Sequence, residues 1–170
     1  MDGKLDLLKH VHNYAARKFA EGDRPLSLRL TARVDVPSGS GLSGSSTLVV
    51  AVLKAYAEWL NCPLDDYELE HAAYVVERVD TGLQGSRQDQ YAAAFGGFNF
   101  MEFGRDGNVL VNPLRVKERV VSELEASLQL FYTGESRAST EIIAEQSKNG
   151  ETKNPDALEA MHTVSRRRCT

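Results

Sequence analysis

Leu5, Leu8, Val11, Ala15 and Phe19 recur at steps of three and four residues. That is the period of a helix with one apolar face, and it predicts a helix from about Leu5 towards Gly22, where Pro25 enforces the break. The period then changes. Leu26, Leu28, Leu30, Ala32 and Val34 alternate with Ser27, Arg29, Thr31, Arg33 and Asp35, which predicts a strand with one buried and one wet face, ended by Pro37. From Thr47 to Leu60, apolar residues occupy several faces (Val49, Val50, Val52, Leu53, Ala57), so a mostly buried helix is expected, with Trp59 in the core. Asn61 and Pro63 close it. Asp65 or Asp66 caps a second helix that runs through Leu69, Ala72, Ala73 and Val76 to about Val79. A loop from Asp80 to Ser86 and a short helix from Gln88 to Ala94 follow, the latter ending at Gly96-Gly97.

Phe98, Phe100 and Phe103, then Gly104-Arg105-Asp106-Gly107, then Val109, Leu110 and Val111 spell a hairpin. A helix around Val120 to Glu125, a strand from Leu128 to Thr133, and helices over Ser139 to Gln146 and from Asn154-Pro155 to Val164 complete the chain. Arg166, Arg167 and Arg168 read as a solvated end. The mixture of helices and hairpin places the chain in the α+β class.

Composition narrows the function classes. The 170 residues hold 20 Lys and Arg against 24 Asp and Glu, a formal charge of −4, which argues against bulk nucleic-acid binding. An apolar fraction of 42% and a charged fraction of 26% match an ordinary globular domain and exclude intrinsic disorder and collagen-like repeats. No apolar run nears the roughly 20 residues that cross a bilayer, so no membrane partner is expected. The N-terminal residues, Met1-Asp2-Gly3-Lys4, show no signal-peptide core. Cys62 and Cys169 are too far apart to suggest a disulfide framework or zinc site, and a reducing cytoplasm is the default.

The chemistry begins at Pro37-Ser38-Gly39-Ser40-Gly41-Leu42-Ser43-Gly44-Ser45-Ser46. A predicted strand, a glycine-rich loop and a buried helix make an anion site, because main-chain N–H groups and the helix dipole converge on negative charge. Glycines permit close approach and positive φ. Ser45, Ser46 and Thr47 add hydroxyls for phosphate or a magnesium ion. A Walker loop is excluded, since no Lys follows the last glycine. The spacing Gly39-x-Gly41-x-x-Gly44 matches the dinucleotide fingerprint literally, but the following element is a second helix rather than the parallel strand that fold requires.

Pro37-x-x-x-Gly41-Leu42-x-Gly44-Ser45-Ser46 resembles the second signature motif of the GHMP kinases, the family of galactokinase, homoserine kinase and mevalonate kinase. Within it, the stretches Asp35 to Leu42, Arg87 to Phe100 and Leu130-Phe131-Tyr132-Thr133-Gly134-x-x-Arg137 are similar to those of bacterial D-glycero-D-manno-heptose 7-phosphate kinases. The resemblance extends from about Leu5 to Met161. It implies a partial GHMP-kinase-like α/β sandwich, of the ribosomal protein S5 domain 2-like type, over residues 1–114. Residues 115–170 would begin a second, ferredoxin-like domain.

The resemblance also implies roles. Pro37, Gly39, Ser40, Gly41, Leu42, Ser43, Gly44, Ser45 and Ser46 would hold the ATP phosphates. Asp89 would take the proton of a sugar or sugar-phosphate hydroxyl, and Glu77 with Ser45 would hold magnesium. Asp80 is a secondary candidate for the same ion, and Arg137 for a sugar or phosphate contact. Read from the residues alone, Asp89 is equally a carboxylate placed at a helix N-terminus.

Two departures accompany the match. The family's first motif and its third, glycine-rich motif are absent, so the chain looks like the middle of such a kinase. Exposed sheet edges are then expected to drive homo-oligomer formation. Ser43 occupies a position that is usually glycine in the family. The competing expectation is a catalytically incomplete, self-associating fragment with at most weak nucleotide binding.

Overall fold

A computed structural model describes residues 5–20, 26–37, 40–131, 159–161 and 163. Helix α1 (Asp6–Lys18) buries Val11 and Ala15, on the face that the three- and four-residue spacing marks. Helix α2 (Gly44–Trp59) buries Val49, Val50, Val52, Leu53, Tyr56 and Ala57. Helix α3 (Asp66–Tyr74) starts with a capping box: Glu68 N–H donates to the Asp65 side chain, and Asp65 N–H donates to the Glu68 side chain. Two otherwise unpaired amides are thereby satisfied. Helix α4 (Gln88–Phe95) ends at Gly96, whose φ of 62° lies in the left-handed region that favours glycine.

These helices share one core, in which Val11, Val49, Leu53, Ala73 and Val76 are fully inaccessible. Loss of such packing by truncation of one large aliphatic typically costs about 2–5 kcal/mol. His12 Nδ1 lies 2.8 Å from the Tyr56 hydroxyl, so this histidine ties α1 to α2.

The hairpin forms where its sequence places it. Strands β1 (Asn99–Phe103) and β2 (Val109–Pro113) are antiparallel, with Met101 opposite Val111. An aromatic contact docks it on α4, where Tyr91 meets Phe103 at 6.0 Å between centroids, while Tyr67 of α3 meets Phe95 of α4 at 4.9 Å. The Tyr67 hydroxyl also accepts the Val111 N–H at 3.1 Å. Asn108 donates its backbone N–H and side-chain amide to Asp106 in the turn, which lowers that carboxyl's pKa. Helix α5 (Glu118–Ser127) follows and buries no residue.

Four expectations need correction. Leu26 to Val34 is not a paired strand. It lies among the described residues with no ladder partner, and Leu28, Leu30 and Val34 are 40%, 39% and 49% exposed. Alternation supplies a sheet face, but a strand also needs a hydrogen-bonding neighbour. Leu28 and Leu30 instead border a cleft against Leu8, His12 and Tyr56. The strand expected from Leu128 fails likewise: Leu128, Leu130 and Phe131 are exposed and join no ladder among the described residues, while 132–133 lie outside them.

Third, Trp59 is 55% exposed rather than core. It is the last residue of α2 and touches Tyr56 by a tilted ring contact. Fourth, the helix expected to run to Val79 changes character. Val75–Asp80 is π-helical, with Thr81 N–H bonding to Val76 O at i→i+5. Ser38, Gly39, Arg137, Cys169, the segment 139–146 and most of 154–164 lie outside the described residues. No helix among those described is long and apolar enough to cross a membrane.

Candidate active site

The glycine–serine loop delivers the chain into α2. Ser40 N–H bonds back to Pro37 O at 3.2 Å, and Gly41 has φ 76°, a conformation glycine adopts without a Cβ penalty. Ser43 is the N-cap of α2 at φ 54°, ψ 29°. A left-handed serine costs on the order of 1 kcal/mol. The first intrahelical bond runs from Thr47 N–H to Ser43 O at 3.0 Å, so the amides of Gly44, Ser45 and Ser46 precede the helix ladder. No side-chain cap bond covers them, and no acidic residue stands in the first turn. Amides and dipole there favour an anion.

The Ser43 hydroxyl is used elsewhere. It donates to Asp89 Oδ1 at 2.8 Å, across 46 residues of sequence. Asp89 lies in the first turn of α4, partly buried. The structure therefore brings together the carboxylate and the loop, with two helix N-termini, those of α2 and α4, meeting at one polar seam. Among the described residues of the loop, Gly41, Leu42 and Ser45 are exposed, as is Pro37 at its entry, while Ser40, Ser43 and Gly44 are partly buried.

A second polar cluster sits one turn further along α2. Ser46 Oγ donates to Glu77 Oε2 at 2.7 Å, and Gln90 Nε2 reaches the same oxygen at 2.5 Å. All three residues are essentially inaccessible. The Glu77 carboxylate thus meets Ser46 rather than Ser45. The reason is helical phase: Ser46 follows Ser43 by three residues and shares the inner face with Val49 and Val50, whereas Ser45 is about 100° away. The π-helical turn holds Glu77 in this interior, and such turns are frequent at functional sites. Asp80 is turned to Arg17 instead, 3.0 Å away.

Glu77 Oε1 and Gln90 Oε1 are both buried with no hydrogen-bond partner. A buried carboxylate without a cation is costly, and two orphaned oxygens are the ligand type a hard divalent cation takes. The donor set therefore fits magnesium. Among the described residues no group of three or more His, Cys, Asp or Glu gathers at one point, so such an ion would complete its shell with hydroxyl, phosphate or water oxygens.

Two positioning features have little signal in the sequence. Arg87, at the start of α4, forks onto buried Glu70 of α3 with contacts of 3.0 and 2.7 Å. Its guanidinium carbon lies 4.7 Å from the centroid of the Tyr74 ring and 5.3 Å from that of Tyr91. The Glu70 hydrogen bonds hold the Arg87 pKa above its already high ordinary value. Arg78 reaches the carbonyls of Leu83, Gln84 and Ser86, pinning the loop that leads into α4. A Cβ at Gly85 would come within 2.5 Å of that guanidinium.

Comparison with known proteins agrees with this architecture. Residues 6–97 match the GHMP kinases N terminal domain, and the chain belongs to the GHMP kinase family. It is 52% identical over 163 residues to the D-glycero-alpha-D-manno-heptose 7-phosphate kinase of Campylobacter jejuni, covering 96% of this chain and 47% of that one. A mevalonate kinase of Pyrococcus horikoshii is 24% identical over 139 residues, 82% of this chain and 38% of the relative. Among solved structures, a D-glycero-D-manno-heptose 1-phosphate kinase from Bacteroides thetaiotaomicron superposes with a TM-score of 0.70 at 52% identity, over 75% of this chain and 41% of that one. The chain spans about half the length of the heptose kinase it matches.

Proposed function

We propose that the protein acts as an ATP-dependent kinase that phosphorylates a hydroxyl of a heptose phosphate in the cytoplasm. The observation that carries this reading is the Ser43–Asp89 contact, which sets a carboxylate beside the open N-terminus of α2. The amides following Ser43 would receive the triphosphate, together with Pro37, Gly39, Ser40, Gly41 and Leu42. The heptose phosphate acceptor is suggested by the names of the heptose kinases to which the chain is similar.

The acceptor oxygen attacks the γ-phosphorus as the bond to the bridging β–γ oxygen breaks. ADP leaves, and the acceptor's proton passes to Asp89. Glu77 and a hydroxyl of Ser45 or Ser46 would hold magnesium, which neutralises charge on the phosphate oxygens when bound. Arg87 and Arg78 serve indirectly, by fixing the first turn of α4. A coupled ADP-release assay on the 170-residue chain, with heptose 1-phosphate and heptose 7-phosphate as acceptors, tests the reading. Acceptor-dependent ADP release is the expected result, and none with either acceptor refutes it.

The exposed apolar row of Leu28, Leu30 and Val34 favours a further element of the proposal, association of two copies of the chain through unpaired edges. Light scattering after size exclusion at low micromolar concentration is expected to give twice the 18.8 kDa chain mass or more. A clean monomer rejects association.

A further inference from the structure

The geometry points to Ser43 as a positioning residue for Asp89, a role that rests on the reading of Asp89 as the proton acceptor. Ser43 is the N-cap of α2, where a serine side chain ordinarily bonds an amide of its own helix. Here it makes no such bond. Its Oγ–H donates instead to Asp89 Oδ1 at 2.8 Å.

Two consequences follow from that choice. The amides of the first turn of α2 are left without a side-chain cap, as a phosphate site requires. The Asp89 carboxylate is held by one oxygen, and no hydrogen bond engages Oδ2 among the described residues, so Oδ2 is the atom available to an acceptor hydroxyl. The backbone supports the same interpretation. Ser43 has φ 54°, where glycine is the relaxed choice, so the residue accepts a conformational penalty while contributing a hydroxyl that glycine lacks.

The test compares Ser43→Gly, Ser43→Ala and Asp89→Asn in the full chain with Mg-ATP and a heptose phosphate. Both Ser43 variants lose the hydroxyl, but only alanine keeps the left-handed strain, so the glycine variant should melt roughly 2–4 °C above the alanine variant. If Ser43 orients the carboxylate, kcat falls by about tenfold in both variants despite that difference, and KM for ATP stays within about twofold. Activity that follows thermal stability instead, preserved in glycine and lost in alanine, assigns Ser43 a merely structural part and overturns the inference. So does wild-type kcat in both variants while Asp89→Asn is inactive. Wild-type activity in Asp89→Asn, or an inactive parent chain, overturns the reading of Asp89 itself, and the role of Ser43 falls with it.

Discussion

Asp89→Asn is expected to lower phosphoryl transfer by about 10²–10⁴-fold, the span assigned to a positioned general base. Asparagine keeps the shape, and its Oδ1 can still accept the Ser43 hydroxyl, which lies 2.8 Å from that atom in the parent. What it cannot do is take up the acceptor's proton. Because the amides proposed to receive the phosphates belong to α2 and are untouched, Mg-ATP affinity should stay within a few-fold of the parent. Folding should also survive, since Asp89 is only partly buried and its neighbours Arg87 and Gln90 make the deeper contacts. Steady-state kinetics beside calorimetric Mg-ATP binding separates these effects. Undiminished turnover would leave Asp89 as a helix-terminal carboxylate, worth no more than about 1 kcal/mol to stability.

The largest stability effect is expected at Arg87. Glu70 is 1% exposed, and Arg87 supplies both of its charged hydrogen bonds. Arg87→Ala leaves a carboxylate buried and unpaired, a change that typically costs about 3–5 kcal/mol. Arg87→Lys should recover only part of this, because an ammonium cannot form the two-pronged contact or lie flat against Tyr74 and Tyr91. Replacing both partners together, Glu70→Leu with Arg87→Leu, should come out much nearer the parent, because no charge is then stranded. Urea denaturation of the single and double variants checks the set. A loss below about 1 kcal/mol for Arg87→Ala contradicts a buried pair and puts Arg87 among ordinary surface charges. Since Arg87 begins the helix that carries Asp89, its loss should also reduce activity in whatever fraction remains folded.

Helices α1 to α4 and the hairpin were legible because local rules agree with packing in them. Leu5 to Phe19 carries the right period, Asp65 and Glu68 form their cap within four residues, and Gly104 to Gly107 makes its turn from its own side chains. Leu26 to Val34 was not, since alternation describes one segment while a strand requires two. The π-helical turn also leaves no mark in hydrophobic spacing, because Val76 and Val79 suit an α-helix equally well. In the candidate site, the residue types and the glycine spacing were readable, and so was the likeness of Arg87 to Phe100 to the heptose kinases. The pairings were not. Ser43 finds Asp89 across 46 residues, Ser46 finds Glu77 across 31, and Arg87 finds Glu70 across 17. Such contacts depend on how α2, α3 and α4 stack. Helical phase alone could have preferred Ser46 over Ser45, since position 46 lies on the stripe of Val49, Val50 and Leu53.

The decisive measurement is a titration of the ¹⁵N-labelled chain with Mg-ATP, followed by amide chemical shifts. The account predicts that the largest changes fall on Gly41 to Thr47 and on the first turn of α4 around Asp89, and that they saturate together. Changes centred instead on the cleft between α1 and Tyr56, or no saturable change at all, would contradict a phosphate site at the start of α2.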